Sequence, residues 1–105
     1  EYDNYMINIL GGSVEEIPEV YDLLSPIKHV CKDSPPTLLL QGSDDVFDLA
    51  PAVRGLQQAL VQAGVPAILV EYPHTEHGFD LILPQISPVA RAATREVERF
   101  LACLV

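Results

Sequence analysis

The sequence has no tryptophan, a single methionine and two cysteines, and only 6 Lys and Arg stand against 15 Asp and Glu. With a formal net charge of −9 and no local basic cluster, the chain repels phosphate backbones. That excludes nucleic acid as a partner and disfavours an anionic membrane surface. Cys31 and Cys103 lie far apart, without CxxC or CxxCH spacing, so the common zinc, redox and haem motifs are excluded. They could close one disulfide, but the expectation is two lone buried thiols in a cytoplasmic protein. No apolar run is long enough to span a bilayer. The amino-terminal EYDNYMINIL has neither a basic n-region nor an initiator Met. It is expected to be the interior of a longer protein, a mature product or a separate subunit, and not a secretory leader. Repeats and low-complexity tracts are missing as well.

What is present suits a globular α/β chain. Apolar residues make up 49% of the 105 positions, which fits one domain over residues 1–105. Within it, 1–30 read as short helices and 36–105 as a βαβα core. Tyr5, Met6, Ile9 and Leu10 recur at helical spacing before Gly11-Gly12. SVEE offers a capping box, with Ser13 as N-cap and Glu16 three residues on, and Pro18 suits the first turn of a second short helix. After the turn KDSPP, the short unalternating run Thr37–Gln41 reads as a strand buried on both faces, as in parallel sheets. GSDDVFD follows as a loop. Asp48 is expected to cap a helix running to Ala63, with Gly64 and Pro66 ending it. A second buried strand, AILVEY, spans 67–72. Ser87-Pro88 opens a terminal helix with Val89, Ala93, Val97, Phe100, Leu101 and Leu104 on one side and Arg91, Arg95 and Arg99 on the other. Tyr2, Tyr5 and Tyr21 read as packing residues, and the arginine row as a solvated face.

A strand–helix–strand unit with a right-handed crossover brings the loops at the carboxyl ends of both strands to one sheet edge. Here those loops are GSDDVFD and PHTEHGF, so an acid and a histidine meet there. A carboxylate that orients an imidazole, whose other nitrogen takes the proton of a serine or cysteine, is two-thirds of a nucleophilic triad. The acid could be Asp44, Asp45 or Asp48, and the histidine His74 or His77. The nucleophile is missing. Ser13 lies in GGSVE with no preceding strand; Ser25, Ser34, Ser43 and Ser87 lie beside prolines or in the acid loop. Neither cysteine sits in a strand-to-helix turn.

PPTLLLQGSDD, GLQQALVQAGVPAILVEYPHTEHGF, ISPVARAATREVERFL and the upstream GGSVEEIPEVYDLLSPIKHV together resemble the carboxyl-terminal part of an α/β-hydrolase-fold serine esterase or lipase, over essentially the whole chain. The resemblance implies a partial α/β-hydrolase fold and puts the triad acid at Asp45, through Gly42-Ser43-Asp44-Asp45. It puts the histidine at His77, which precedes Gly78-Phe79. His74 and His29 are then ordinary loop residues, and Asp44 a turn residue. Gln41 departs from the pattern, His-Gly being commoner before that turn. The larger departure is the G-x-S-x-G elbow, which no segment supplies.

The expectation is therefore the acid- and histidine-bearing section of a carboxylic-ester hydrolase, with its serine outside this chain. It requires no metal and no organic cofactor, takes a small ester once completed, and is inactive alone. A noncatalytic assembly module on the same scaffold is the alternative from another class; a peptidase or thioesterase of the same fold is a third. Phe79, Leu81 and Leu83 would line an acyl pocket or pack onto the sheet. With two open strand edges the chain is expected to self-associate or pair with a complementary chain.

Overall fold

The computed structural model describes residues 2–105 and side chains from Tyr5 onward; Tyr2, expected to pack, lies outside the described side chains. Helix α1 (Tyr2–Leu10) ends where Gly11 turns to a φ of 88° and donates its N–H to Ile7 C=O at 2.9 Å. Ser13 and Glu16 form half of the expected box: the Glu16 carboxylate accepts the Ser13 N–H at 2.8 Å. The pair closes a turn and does not start the helix. Pro18 forces the residue before it out of the helical region, and Ile17 accordingly sits at φ −134°, ψ 56°. Helix α2 (Pro18–Leu24) begins on the proline, and a single 3-10 turn (Pro26–His29) follows.

Strand β1 (Thr37–Gly42), helix α3 (Ala50–Gln62) and strand β2 (Ala67–Tyr72) form the expected crossover unit. The strands pair in parallel, Thr37 opposite Ala67 through Gly42 opposite Tyr72, with α3 packed across both. Asp48 does not cap α3. It adopts the left-handed region at φ 49°, its N–H donates to Asp45 C=O at 2.8 Å, and the residue preceding the helix is Leu49, with no side-chain cap. Pro51 in the first turn carries no N–H and removes one donor that a cap would serve. The far end of α3 follows expectation. Gly64, at φ 81°, donates to Val61 C=O at 3.0 Å and Val65 N–H reaches Leu60 C=O at 2.9 Å, the paired bonds of a Schellman motif. Leu60 and Val65 are both buried.

Helix α4 (Pro88–Ala102) is capped by Ser87, whose Oγ accepts the Ala90 N–H at 3.3 Å, and lies against β1. Its inward side is narrower than the sequence stripe. Ala90 and Ala93 are buried and Val89 and Phe100 half-buried, whereas Val97, Leu101 and Leu104 are exposed. Arg91, Arg95 and Arg99 lie exposed, as expected of a solvated face.

The strands are not buried on both faces. Leu38, Leu39 and Leu40 are half-buried, and Ile68 is 51% exposed. The cause is a shortage of cover: two strands and four helices leave 7499 Å² accessible, against about 5800 Å² for a compact monomer of this mass. The radius of gyration, 15.6 Å, likewise exceeds the roughly 13 Å of a compact chain. Both cysteines are exposed, which corrects the expectation of buried thiols. Among the described residues no helix is long and apolar enough to cross a membrane.

Candidate active site

The carboxyl ends of β1 and β2 lie side by side, and hydrogen bonds lace the loops that leave them. Ser43 N–H donates to Tyr72 C=O at 2.9 Å, Asp44 N–H to Thr75 C=O at 3.0 Å, and His74 N–H to Ser43 Oγ at 2.8 Å. Gly42 makes the approach possible. A Cβ there would run into the Thr75 carbonyl oxygen and come within 3.0 Å of the Glu76 carbonyl oxygen. Thr75 is itself buried at the crossing point.

The lacing brings together the residues that the resemblance singles out. His77 Nδ1 lies 2.9 Å from Asp45 Oδ2. A carboxylate can only accept, so Nδ1 carries the proton and the neutral ring keeps its lone pair on Nε2. The Asp45 side chain is 6% exposed and that of His77 50%, an arrangement with a sheltered acid and an accessible base. Phe47 stands edge-on to the imidazole, ring centroids 4.8 Å apart. Burial works to raise the Asp45 pKa, but the hydrogen bonds from His77, the Phe47 N–H and Gln41, together with the His77 charge, outweigh it and hold the group below its ordinary value.

The neighbouring acids and histidine take other partners. Asp44 accepts the Ser43 hydroxyl at 2.7 Å and lies 3.5 Å from His74 Nδ1, and the His74 side chain is 94% exposed. His29 is tied by Nε2 to Leu23 C=O at 2.8 Å. Asp48 lies in the left-handed turn before α3. No serine or cysteine hydrogen-bonds His77 among the described residues. Ser13 lines a separate cavity with Met6 and Tyr21. Ser87 shares a cavity of about 510 Å³ with His77, but its Oγ accepts from the α4 N-terminus.

Two features of the site were not evident from the sequence. Gln41, which in the sequence only departs from the family pattern, is buried and donates to Asp45 Oδ2 at 3.0 Å. The apolar residues beyond His77 divide: Phe79 packs on Tyr72 with ring centroids 5.1 Å apart, while Leu81 and Leu83 are 80% and 61% exposed and do not pack onto the sheet. Asp45, His77, Gln41 and Phe79 line a cavity of about 240 Å³, together with Glu76 and Asp80 and without any Lys or Arg.

Residues 20–105 match the Dienelactone hydrolase family. A probable carboxylic ester hydrolase of Mycobacterium tuberculosis, LipM, is 37% identical over 81 residues, which cover 74% of this chain and 18% of its own. Acylamino-acid-releasing enzyme 1 of Oryza sativa subsp. japonica is 41% identical over 58 residues, 53% of this chain and 7% of its own. A second Mycobacterium tuberculosis protein, esterase LipC, is 29% identical over 75 residues, 70% of this chain and 19% of its own. Among solved structures, the propionate-bound esterase Est2 of Thermogutta terrifontis aligns at a TM-score of 0.76 and 19% identity over 99% of this chain and 36% of its own. That alignment places the arrangement within the α/β-hydrolase fold. The chain spans less than a fifth of the length of each curated relative.

Proposed function

The chain belongs to the dienelactone hydrolase family, and from that membership we propose that it is the acid- and histidine-bearing section of a serine carboxylic-ester hydrolase. The observation that carries the reading is the 2.9 Å contact between His77 Nδ1 and a sheltered Asp45, which leaves the lone pair on Nε2. A serine on a part of the fold outside these residues would deliver its proton to Nε2 while Oγ attacks the ester carbonyl. Asp45 would stabilise the imidazolium so formed. Collapse of the tetrahedral intermediate breaks the C–O bond to the alcohol, which departs with the proton from Nε2. Water, deprotonated by the same nitrogen, then cleaves the acyl-serine and frees the acid. Asp45 is preferred to Asp44 because Asp44 faces His74, whose imidazole is almost wholly in solvent.

A second reading, release of acylated amino acids on the same machinery, is supported by the 41% identity to the rice enzyme. Both are tested by joining the chain to a nucleophile-bearing portion of the fold and following a short p-nitrophenyl ester beside an acylated amino-acid anilide. Ester turnover should fall about 10⁶-fold in His77→Ala and about 10⁴-fold in Asp45→Asn. Turnover undiminished by His77→Ala would sink the assignment. A well-folded complete protein that cleaves neither substrate would leave the noncatalytic assembly role.

A further inference from the structure

Gln41 is the last residue but one of β1, between an apolar run and the tight turn at Gly42. It is one of only two polar residues buried among the described side chains, at 6% exposure. Its Nε2 donates to Asp45 Oδ2 at 3.0 Å and to Gly42 C=O at 2.9 Å. Both neighbours are acceptors, so the NH₂ end of the amide must face them and the carbonyl end cannot. The Asp45 carboxylate thereby has three donors. Phe47 N–H, at 2.9 Å, holds Oδ1; Gln41 and His77, from different strand ends, converge on Oδ2.

This division of labour has a geometric meaning. Phe47 N–H comes from an exposed loop, and the His77 ring is half in solvent. Of the three donors, only Gln41 is a buried side chain on a paired strand. A carboxylate rotates about a broad, two-fold torsion, and partners that reach it from exposed positions restrain that rotation less than a buried one does. The buried amide supplies the stronger restraint.

We propose that Gln41 is a positioning residue for the acid–histidine pair: its amide locks the Asp45 carboxylate so that Oδ2 faces His77 Nδ1, and so keeps Nε2 as the nitrogen left free for proton transfer. The proposal rests on the roles proposed for Asp45 and His77, and it differs from a packing role, which any side chain of similar volume would fill. The other charged groups near the pair are Glu76 and Asp80 in the same cavity, with Asp44 and His74 at the outer end of the loops.

The experiment is NMR of the 105-residue chain and of Gln41→Leu and Gln41→Glu, reading the ¹⁵N shifts of the His77 ring, the carboxyl ¹³C of Asp45 against pH, and the amide spectrum of β1 and β2. In the unaltered chain the neutral ring should be mainly the Nδ1–H tautomer. Gln41→Leu should lower the ratio of Nδ1–H to Nε2–H about fivefold, the equivalent of one ordinary net hydrogen bond, and raise the Asp45 midpoint, with the strand amides in place. Gln41→Glu sets a second carboxylate against the first. The two should titrate as a coupled pair, with one step above that of Asp45 in the unaltered chain. A Gln41→Leu chain with the original tautomer ratio and midpoint overturns the proposal. Loss of the strand amide pattern in both variants also overturns it, because Gln41 would then serve the fold alone. None of these readings needs a nucleophile, so their failure is distinct from failure of the esterase reading, which only turnover by the completed protein decides.

Discussion

Asp45 is a buried carboxyl that stays acidic because donors surround it, and this sets how the chain responds to acid. Its pKa lies below the ordinary value in the folded state, so the folded chain binds the Asp45 proton less readily than the unfolded chain does. The resulting stabilisation is fully present above about pH 4, where unfolded aspartate has lost its proton. It disappears as the pH falls through the lower, folded value. Asp45→Asn should therefore cost on the order of 1 kcal/mol at neutral pH and progressively less in acid, where the two urea-unfolding curves converge. An unfolding difference that is the same at pH 7 and pH 3 would show that the charge of Asp45 is not what stabilises the loops. Asp45 and His77 were legible in the sequence because each stands just past a short apolar run and within a recognisable local pattern. Gln41 was not. A glutamine at the end of a buried strand breaks no periodicity, and its partner is defined only by the loop that folds back over it.

At the level of elements, the glycines separate a position where the fold needs a bare backbone from one where it does not. Gly42 ends β1 against the Thr75 and Glu76 carbonyls, whereas a Cβ at Gly55, inside α3, would meet only Ile27 Cδ1 at 3.7 Å. Gly42→Ala should destabilise the chain by about 1–3 kcal/mol through overpacking and part the loops, lowering the denaturation midpoint and erasing the Asp45-dependent acid response. Gly55→Ala should raise the midpoint, gaining about 0.5–1 kcal/mol from helix propensity. Stability measurements in urea that rank the two variants the other way would contradict the packing described. The strand and helix spans were largely readable, because Pro18, Gly64 and Ser87-Pro88 act through local backbone chemistry. The start of α3 was misread where two local rules competed: Asp48 had the right side chain for a cap, but Pro51 changed which donors remained to be capped. The half-exposed strands were misread for another reason. An apolar run shows that a strand is to be covered, and does not show by what.

Across the whole molecule, the accessible area of 7499 Å² exceeds that of a compact monomer by about 1700 Å², comparable with the total area of a standard protein interface. Exposed Val97, Leu101 and Leu104 on α4 and Ile68 on β2 contribute to it. Self-association of the isolated chain, or capture of a complementary section of the fold, is the expected consequence. Light scattering over a range of concentrations should show mass above 11.5 kDa that declines when Leu101 is replaced by Glu. A strictly monomeric chain at high concentration would count against it. The net charge of −9 opposes this association, so added salt should strengthen it.

The two backbone bonds and the Ser43 Oγ contact that lace the Ser43–Asp44 turn to Tyr72, Thr75 and His74 also bear on the energy landscape. Loops at a functional site commonly open on their own, well below the free energy of global unfolding. Here Asp45 and His77 sit on loops tied to the carboxyl ends of β1 and β2, so their separation is expected to follow opening of the sheet. Asp45 and His77 lie 32 residues apart in sequence, so their contact waits on the parallel pairing of β1 with β2, a non-local and slow step in folding. The Asp45–His77 contact therefore forms only once the two strands have paired.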